Sequence, residues 1–398
     1  MNILHLTKFY APVTGGIETV VLELAQGMRK RGLEVDVLCS NTGRRTCHDR
    51  TAEGIAVTRA GSLGKLLSTS MSPALIAQAR RLIPSYDLIH IHMPDPMAAL
   101  ALWAAQPKAK VVVHWHSDVV RQNLALRLYR PLQQWLLSRA DAIVATSEPY
   151  AASSIWLQPW QQKTTVIPIG ISDNLGAPKP ELTRQIQERF GGRDIVFALG
   201  RMTYYKGFDV LIAAAASLPP HCVIVVGGEG ELLERYRAEI AERGLSQRIC
   251  FIGHIPAHEL SAYFAAASMF CMTSTHRAEA YGVVLLEAMA TGTPVIAANV
   301  EGAAASWINQ SGITGLNVPV GDVSALVGAV NRIAADKAFA AQLGRAARTR
   351  YESSFSAEAM VQSTIALYSR LLARKPAPTL QAAPTDQTRQ EQFLGNDS

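Results

Sequence analysis

The chain has 398 residues and a formal net charge of +6, with 48% hydrophobic and 18% charged residues. These are values of a globular protein with room for two α/β domains, and no apolar run reaches the roughly 18 residues that a membrane-spanning helix needs. Five dispersed cysteines without a CxxC pair favour a reducing compartment over a disulfide framework.

The first half of the chain begins with a strand, a Gly-rich loop, a helix and a second strand. Residues 1–12 predict a strand and not a signal peptide, because no long apolar stretch follows a basic segment. A βαβ unit of this kind indicates a parallel sheet. Residues 43–60 are predicted to form a hairpin or an extra strand. Strands are predicted at 3–6, 34–39, 88–92, 111–116, 142–146 and 165–168, and helices at 17–31, 73–83, 96–104 and 124–139.

The second half repeats this organisation after a Pro- and Gly-rich linker, residues 172–182. Strands are predicted at 195–200, 223–227, 249–253, 269–272, 295–298 and 315–318, and helices at 207–217, 259–267, 283–290 and 324–336, with helical sequence to about residue 373. The tail, residues 376–398, is rich in Pro, Gln, Thr and Ala and is predicted to be disordered. We therefore expect an N-terminal domain over 1–173 and a C-terminal domain over 182–355. Ligands of doubly wound sheets bind beyond the carboxyl ends of the strands.

The net positive charge is confined to the first half of the chain. Residues 1–180 carry 19 Lys and Arg against 12 Asp and Glu, a net charge of +7, which leaves −1 for the remainder. This asymmetry fits an anionic partner or an ordinary solvated surface. The segment 121–139 mixes Arg with Leu and Trp, so it predicts either a helix on an anionic membrane or an amphipathic surface helix. Nucleic-acid binding is not expected, because the basic residues are not interleaved with aromatic ones.

Four groups of polar residues stand at predicted strand ends. The first is Gly15-Gly16, where backbone N–H groups can approach an anion closely, although a plain tight turn explains the pair equally well. The second is the segment 114–118, HWHSD. Its two histidines share a face of a strand, but we expect no other residue to complete a metal site, and no Asp-x-Asp pair occurs in the chain. We take His116 as functional and His114 as a hydrogen-bonded core histidine.

The other two groups lie in the second half. Arg201 and Lys206 flank a loop between a strand and a helix, where two cations suit a diphosphate, and a surface basic pair is the alternative. Glu279 and Glu287 stand on either side of a helix that starts at Gly282, where unpaired N–H groups attract anions and sugar oxygens. A dipole-stabilised N-terminal carboxylate would explain Glu279 but not Glu287. The pattern GxGxxG is absent from residues 228–233, GEGELL, which counts against a nicotinamide enzyme.

Taken together, these motifs resemble the retaining glycosyltransferases of the GT-B fold, in particular those of bacterial surface polysaccharide and lipopolysaccharide synthesis. The resemblance extends over about residues 1–372. It rests on Gly15-Gly16, His116, VIPIGI at 166–171, Arg201 with Lys206-Gly207, VVGGEGE at 225–231, and Glu279-x7-Glu287 followed by AMATGTPVIA. The sequence departs from the family pattern at Ile169, where Asn is usual, and at Tyr281, where Phe is common.

The resemblance implies an α/β protein with two Rossmann-like doubly wound domains that face a donor cleft. It also implies that a C-terminal helix, about residues 356–373, packs back on the N-terminal domain. The implied donor is a nucleoside diphosphate sugar, with GDP-mannose as the best expectation and a UDP-sugar as the alternative. The implied acceptor is a saccharide or a lipid-linked sugar, with no metal or other cofactor. We expect a cytoplasmic protein, either free or in a peripheral position on the inner face of the cytoplasmic membrane.

The resemblance also assigns roles to individual residues. Arg201 and Lys206 would hold the diphosphate, and Glu287 the ribose hydroxyls. Glu279 would hold the sugar hydroxyls and the distal phosphate, together with the backbone of Tyr281, Gly282 and Val283. His116 would lie near the C6 hydroxyl and the reacting face of the sugar, and Gly16 would approach the phosphate. The alternatives are a sugar-nucleotide epimerase or hydrolase on the same fold, and a sugar-nucleotide-binding module without catalysis.

Overall fold

The computed structural model describes residues 1–13, 15–66, 69–118, 123–173, 175–277, 279 and 281–373, with the backbone alone over 123–128. The predicted disordered tail lies outside these residues. Within them, the chain forms two mostly parallel sheets with helices on their faces, which confirms the predicted fold class.

The first sheet has eight strands within the described residues, in the order β10-β9-β8-β7-β1-β2-β4-β3. These strands are Asn2–Thr7 (β1), Glu34–Ser40 (β2), Cys47–Arg50 (β3), Ala56–Ala60 (β4), Leu88–Met93 (β7), Lys110–Trp115 (β8), Ala142–Ala145 (β9) and Thr164–Val166 (β10). Two further strands, Lys65–Leu66 (β5) and Thr69–Ser70 (β6), form a small separate hairpin. Among the described strands of this sheet, β3 alone runs antiparallel, against β4, so the hairpin predicted within residues 43–60 is present. The helices of this half are Gly16–Lys30 (α1), Pro73–Leu82 (α2), Pro96–Ala105 (α3), Asn123–Arg139 (α4) and Glu148–Ser153 (α5), with 3₁₀ turns at Ile83–Ser85 and Gln158–Lys163.

The second sheet is fully parallel, in the order β13-β12-β11-β14-β15-β16. Strands are added towards one edge up to β13 and towards the other edge from β14 onward, so the topological switch point lies between β11 and β14. Its strands are Asp194–Leu199 (β11), Cys222–Gly227 (β12), Ile249–Gly253 (β13), Ala267–Met272 (β14), Val295–Ala298 (β15) and Gly315–Val318 (β16). The helices are Pro180–Arg189 (α6), Phe208–Ala215 (α7), Leu233–Glu242 (α8), Leu260–Ala266 (α9), Val283–Ala290 (α10), Ala305–Ile308 (α11), Val323–Ala335 (α12), Lys337–Arg350 (α13) and Ala357–Ala373 (α14), with 3₁₀ turns at Tyr204–Lys206 and Ala257–Glu259 and a π-helical turn at Tyr351–Phe355.

Local chemistry explains where the helices begin. Ser72, Asp95, Asp322 and Asp336 each accept a hydrogen bond from a free N–H of the first turn of the helix that follows. In α1 the apolar residues recur on one face and are buried, while an acidic residue stands in the first turn and two basic residues stand in the last.

The last helix, α14, lies against α1 of the first half. Val361 packs so closely on Gly27 that a Cβ built there would lie 2.5 Å from a Val361 methyl carbon. Arg31 and Glu358 form an ion pair between the two helices. One continuous apolar cluster includes residues of α1, of the second sheet and of α14, so it joins both halves of the chain.

Candidate active site

A cavity of about 450 Å³ opens between the carboxyl ends of the two sheets, which is the position expected for the ligand of a doubly wound fold. It is lined by Gly16, Ile17, His116, Ser117 and Ile169 from the first half and by Leu199, Gly200, Lys206, Glu279, Tyr281, Gly282, Val283, Val284 and Glu287 from the second. Eight of the predicted site residues therefore meet in one place. Gly15 and Arg201 are not among the lining residues.

The start of α10 forms one wall of the cavity. Gly282 precedes the helix with φ of 82°, a left-handed conformation, and a Cβ built there would lie 2.8 Å from the sulfur of Met272. No side chain of the described residues caps the helix, and Val283 and Val284 line the cavity. Their N–H groups have no acceptor within the helix, so they are available to an anion or a sugar oxygen.

Lys206 and Glu279 form an ion pair within the cavity wall, and their side chains are only 12% and 14% exposed. Lys206 ends the 3₁₀ turn after β11, and Glu279 stands in the loop ahead of α10. Each group is therefore held at the cavity by the other. A ligand with both phosphate and hydroxyl groups offers each of them a new partner.

Glu287 lies within α10 among buried apolar residues. Burial raises the pKa of its carboxyl from 4.5 to about 7. No described residue donates a hydrogen bond to this carboxylate, although it lines the cavity. A ligand hydroxyl is the kind of donor that this carboxylate lacks.

His116 enters the cavity from the opposite side, directly after β8. Its backbone N–H donates to the carbonyl of Met93, 3.0 Å away, which extends the pairing of β8 with β7. Two residues further along, Asp118 is held in place by its Oδ1, which accepts from the indole N–H of Trp115 and from the hydroxyl of Ser154, each at 2.9 Å. Asp118 is a positioning residue that the sequence showed only as part of the segment HWHSD.

Gly15 and Gly16 differ in their surroundings. Gly15 precedes α1, and a Cβ built there would lie 2.2 Å from Oε2 of Glu18. A Cβ on Gly16 would meet nothing within 4 Å and would project into free space at the cavity. Arg201 is exposed beyond the end of β11, and its loop is tied to the next one by a hydrogen bond from Met202 N to the carbonyl of Glu229, 2.8 Å away.

The two departures from the family pattern contact each other. The hydroxyl of Tyr281 donates to the backbone carbonyl of Ile169, 3.0 Å away, and Tyr281 is only 6% exposed. This bond joins the two halves of the chain at the cavity. Phenylalanine at position 281 could not form this hydrogen bond. Tyr281 therefore adds a contact to the backbone of Ile169, the position where the family usually has asparagine.

The expectation that no other residue is placed to complete a metal site with His114 and His116 is wrong, because His92 lies close enough to both for the three to hold an ion. His5, His90 and His92 lie on the same face of β1 and β7, and pairing of the strands places His5 opposite His90 and His92 opposite His114. His114 is buried, but neither of its ring nitrogens has a hydrogen-bond partner among the described residues, so it is not the satisfied core histidine that we expected. The alternation in 90–92 and 114–116 was visible in the sequence, but the adjacency of three strands was not.

Metal-ligating groups also cluster among the described residues. The sets His5–His90–His92 and His92–His114–His116 are each close enough to hold an ion, and so is Asp194–His221–Cys222 at the opposite end of β11 and β12. The first two sets share His92, and the second of them includes His116 at the cavity. The carboxylates that line the cavity, Glu279 and Glu287, belong to none of these sets.

The helix predicted for a membrane surface is α4. Arg121 lies outside the described residues, and the side chain of Arg127 is not described. The guanidinium carbon of Arg130 lies 5.8 Å from the ring centre of Trp156. Among the described helices, none has the length and apolar character needed to cross a bilayer.

Both halves of the chain match known glycosyl transferase families. Residues 15–170 match the "Glycosyl transferase 4-like domain" and residues 180–350 match "Glycosyl transferases group 1". The chain is 34% identical to an O-antigen chain mannosyltransferase of Escherichia coli, over 94% of this chain and all of the relative. It is also 34% identical to a D-rhamnosyltransferase of Pseudomonas aeruginosa, over 90% of this chain and 93% of the relative. The sucrose-phosphate synthase of Thermosynechococcus elongatus superposes with a TM-score of 0.75 at 25% identity, over 94% of this chain and all of that structure.

Proposed function

The chain belongs to the group 1 glycosyl transferases and has the GT-B fold, and from this premise we propose that it transfers mannose from GDP-mannose to a saccharide or lipid-linked acceptor with retention of anomeric configuration. The observation that carries the proposal is the wall formed by Lys206, Glu279, Glu287 and the uncapped start of α10. These groups offer a cation, two carboxylates and free N–H groups within one cavity, which matches a diphosphate flanked by two polyols.

The charges of the wall suggest how the donor is held. Lys206 binds the diphosphate, and the free N–H groups of Val283 and Val284 bind its distal phosphate. Glu279, released from Lys206, accepts hydrogen bonds from sugar hydroxyls, while Glu287 accepts those of the ribose. Arg201 stands on the same loop as Lys206 outside the cavity lining, so we propose that it reaches the diphosphate only when the donor is bound.

The positions of the carboxylates favour departure and attack on the same face of the sugar. Both carboxylates that line the cavity, Glu279 and Glu287, come from the second half of the chain. Within the described part of the first half, no carboxylate lines the cavity to act as a covalent nucleophile of the kind that retaining glycosidases use. The leaving diphosphate then takes the acceptor's proton while Lys206 and the start of α10 stabilise its charge, and no metal has a part in the proposal.

The test is substitution of Lys206 by alanine, with Lys337→Ala as the matched control. Lys337 forms an ion pair with Asp194 away from the cavity and is 66% exposed. Loss of a charge-assisted contact to the diphosphate should lower kcat/KM by about 10- to 100-fold in Lys206→Ala. The control should retain full activity. Wild-type turnover in Lys206→Ala would refute the proposed donor site.

Two further measurements separate this reaction from the alternatives. Turnover of the donor without any acceptor would identify an epimerase or hydrolase, whereas donor binding without turnover would identify a binding module. Activity should persist in excess chelator, and its loss there would refute the metal-independent mechanism.

Donor identity rests on the resemblance to surface-polysaccharide mannosyltransferases and on the name of the relative from Escherichia coli. Thermal-shift measurements should give the largest stabilisation with GDP-mannose among GDP- and UDP-linked hexoses, since a ligand stabilises the fold by RT ln(1 + [L]/Kd). A GDP-linked 6-deoxyhexose belongs in the panel because the relative from Pseudomonas aeruginosa is named for D-rhamnose. Greater stabilisation by a UDP-sugar would overturn the assignment of the base.

We propose a lipid-linked acceptor and a peripheral position on the cytoplasmic face of the membrane. The excess of Lys and Arg in residues 1–180 supports this, together with the basic and apolar composition of 121–139. Replacing Arg121, Arg127 and Arg130 by glutamine should abolish binding to vesicles that contain anionic lipid. Binding that is unchanged in this variant would contradict the membrane-facing role of α4.

A further inference from the structure

Five histidines form a buried layer behind the cavity. His5, His90 and His114 are fully buried, His92 is 1% exposed, and His116 is 7% exposed at the cavity edge. They come from β1, β7 and β8 and point to one face of the sheet, because residues two apart in a strand share a face.

All five imidazoles are held in the neutral form. Burial lowers the pKa of His5 and of His116 to about 3, and burial with mutual repulsion lowers the pKa of His90, His92 and His114 well below 6.5. Each neutral ring has one N–H group and one lone pair. A hydrogen bond between two such rings therefore fixes which nitrogen of each ring carries the hydrogen.

Three of the rings are joined in a chain that leads to the cavity. Nδ1 of His5 lies 2.9 Å from Nε2 of His92, and Nδ1 of His92 lies 3.1 Å from Nε2 of His116. Because His92 has one N–H group, it donates to one neighbour and accepts from the other. The chain can run in only two directions.

The free ends of the chain distinguish these directions. Nε2 of His5 is buried without a partner among the described residues, whereas Nδ1 of His116 is not among the buried unpartnered atoms and its ring lines the cavity. If the chain ran from His116 inward, His5 would bury an orphaned N–H group, which is rarer in proteins than an unpaired acceptor. If it runs outward, His5 buries only a lone pair and His116 turns an N–H group to the cavity.

We propose that His92 and His5 are positioning residues that hold His116 in the Nδ1–H tautomer, so that a neutral imidazole presents an N–H donor to the ligand. That this ligand is an oxygen of the donor sugar rests on the proposed function. A neutral donor of fixed direction suits a sugar hydroxyl or ring oxygen. The tautomer itself is a property of the protein without ligand.

The same rings could instead bind a metal ion, and the geometry favours the hydrogen-bonded chain. Both nitrogens of His92, the ring common to the two possible sets, are already within hydrogen-bond distance of other rings. Neighbouring rings also lie face to face, with 4.0 Å between the centres of His114 and His116 and an interplanar angle of 11°. Ligands of one ion converge on a point, whereas stacked rings direct their lone pairs side by side.

The direct test is nitrogen NMR of the full-length protein labelled with ¹⁵N-histidine. Two-bond ¹⁵N–¹H correlations distinguish the two tautomers, and the His116 signals are identified by their absence from His116→Gln. We expect the Nδ1–H tautomer for His116 and for His92 in the ligand-free protein. The Nε2–H tautomer at His116 would overturn the proposal, and so would a stoichiometric metal ion that coordinates these rings in the purified protein.

Variants test the consequence for activity. His92→Phe keeps an aromatic ring in the stack and removes both hydrogen bonds, whereas His114→Phe makes the same change at a ring without hydrogen-bond partners among the described residues. We expect kcat/KM for the sugar donor to fall about 3- to 10-fold in His92→Phe and to change less than about twofold in His114→Phe. His92→Gln retains one donor and one acceptor and should recover part of the loss.

These outcomes separate the proposal from the assigned reaction. Equal loss in His92→Phe and His114→Phe would show that the layer acts only through packing. If the protein proved to transfer no sugar, the tautomer would still be measured by NMR, so the two inferences fail independently.

Discussion

The ionised side chain of Glu287 destabilises the folded protein. Its pKa of about 7 lies roughly 2.5 above the value of 4.5 for an unperturbed glutamate, and burial is the cause. A group whose pKa is raised in the folded state contributes stability that is fully present below the unfolded pKa and is lost as pH rises through the folded pKa. Stability should therefore fall between about pH 4.5 and pH 7 because of this one side chain.

The isosteric variant Glu287→Gln removes this dependence. One pKa unit is worth about 1.4 kcal/mol, so the ionised carboxylate should lower the free energy of unfolding at pH 8 by up to about 3 kcal/mol. This is an upper limit, because water in the open cavity still solvates the carboxylate. The glutamine side chain of the variant does not titrate, so the cost of burying it is the same at every pH. This cost therefore cancels when the stability difference between variant and parent is compared at two pH values.

Urea denaturation of both proteins at pH 5 and pH 8 measures the effect. Glu287→Gln should gain about 2–3 kcal/mol relative to the parent between the two pH values. Glu301→Gln, which removes an exposed carboxylate, is the control and should show no such gain. A stability difference for Glu287→Gln that does not change with pH would refute the reasoning.

The same variant should bind the donor more weakly. A carboxylate that accepts hydrogen bonds from ligand hydroxyls contributes about 1.5–3 kcal/mol to the free energy of binding. We therefore expect calorimetry at pH 8 to give a roughly 10- to 100-fold higher Kd for the sugar donor in Glu287→Gln than in the parent. Donor affinity of the parent should rise with pH through 7, because the ionised form is the better acceptor, whereas that of Glu287→Gln should stay flat. Unchanged affinity in the variant would remove Glu287 from the donor site.

Three other substitutions test the walls of the cavity. Gly16→Val should fold normally, because a Cβ at this position meets nothing within 4 Å. Its side chain should fill the cavity and lower donor affinity at least tenfold. Gly43→Val is the control, since a Cβ there is equally unobstructed, and it should leave donor affinity unchanged. Gly282→Ala should lose about 1–3 kcal/mol of stability in urea denaturation, since its left-handed φ and the sulfur of Met272 both oppose a Cβ, and an unchanged midpoint would contradict this. Tyr281→Phe should lose about 1 kcal/mol through the missing hydrogen bond to Ile169, and equal stability would show that this bond contributes nothing.

The fold could be predicted from the sequence because its signals are local. Apolar runs of strand length alternate with amphipathic segments, and the Pro- and Gly-rich linker separates two such series. The predicted strands of 34–39 and 295–298 lie within or coincide with Glu34–Ser40 and Val295–Ala298. Element ends differ by one or two residues, because capping and hydrogen-bond pairing decide them and apolar periodicity does not.

The site could be predicted only where its residues lie close together in sequence. Glu279, Gly282 and Glu287 belong to one loop and helix, so their spacing alone places them together. The ion pair of Lys206 with Glu279 joins residues far apart in the chain and depends on β11 and β14 being neighbours. Nor could the layer behind His116 be predicted, since its histidines become neighbours only through strand order.

The polar groups of this cavity share one property, which is that each can take a further hydrogen-bond or ionic partner from a ligand. Glu287 is near half protonation at neutral pH without a hydrogen-bond donor among the described residues, and Lys206 and Glu279 are paired with each other. Val283 and Val284 have N–H groups without acceptors in the helix. A ligand that supplies a diphosphate between two sets of hydroxyls gives every one of these groups a partner at once. Such a ligand therefore relieves the cost of burying these polar groups in an otherwise apolar wall, and that relief contributes to the free energy of binding.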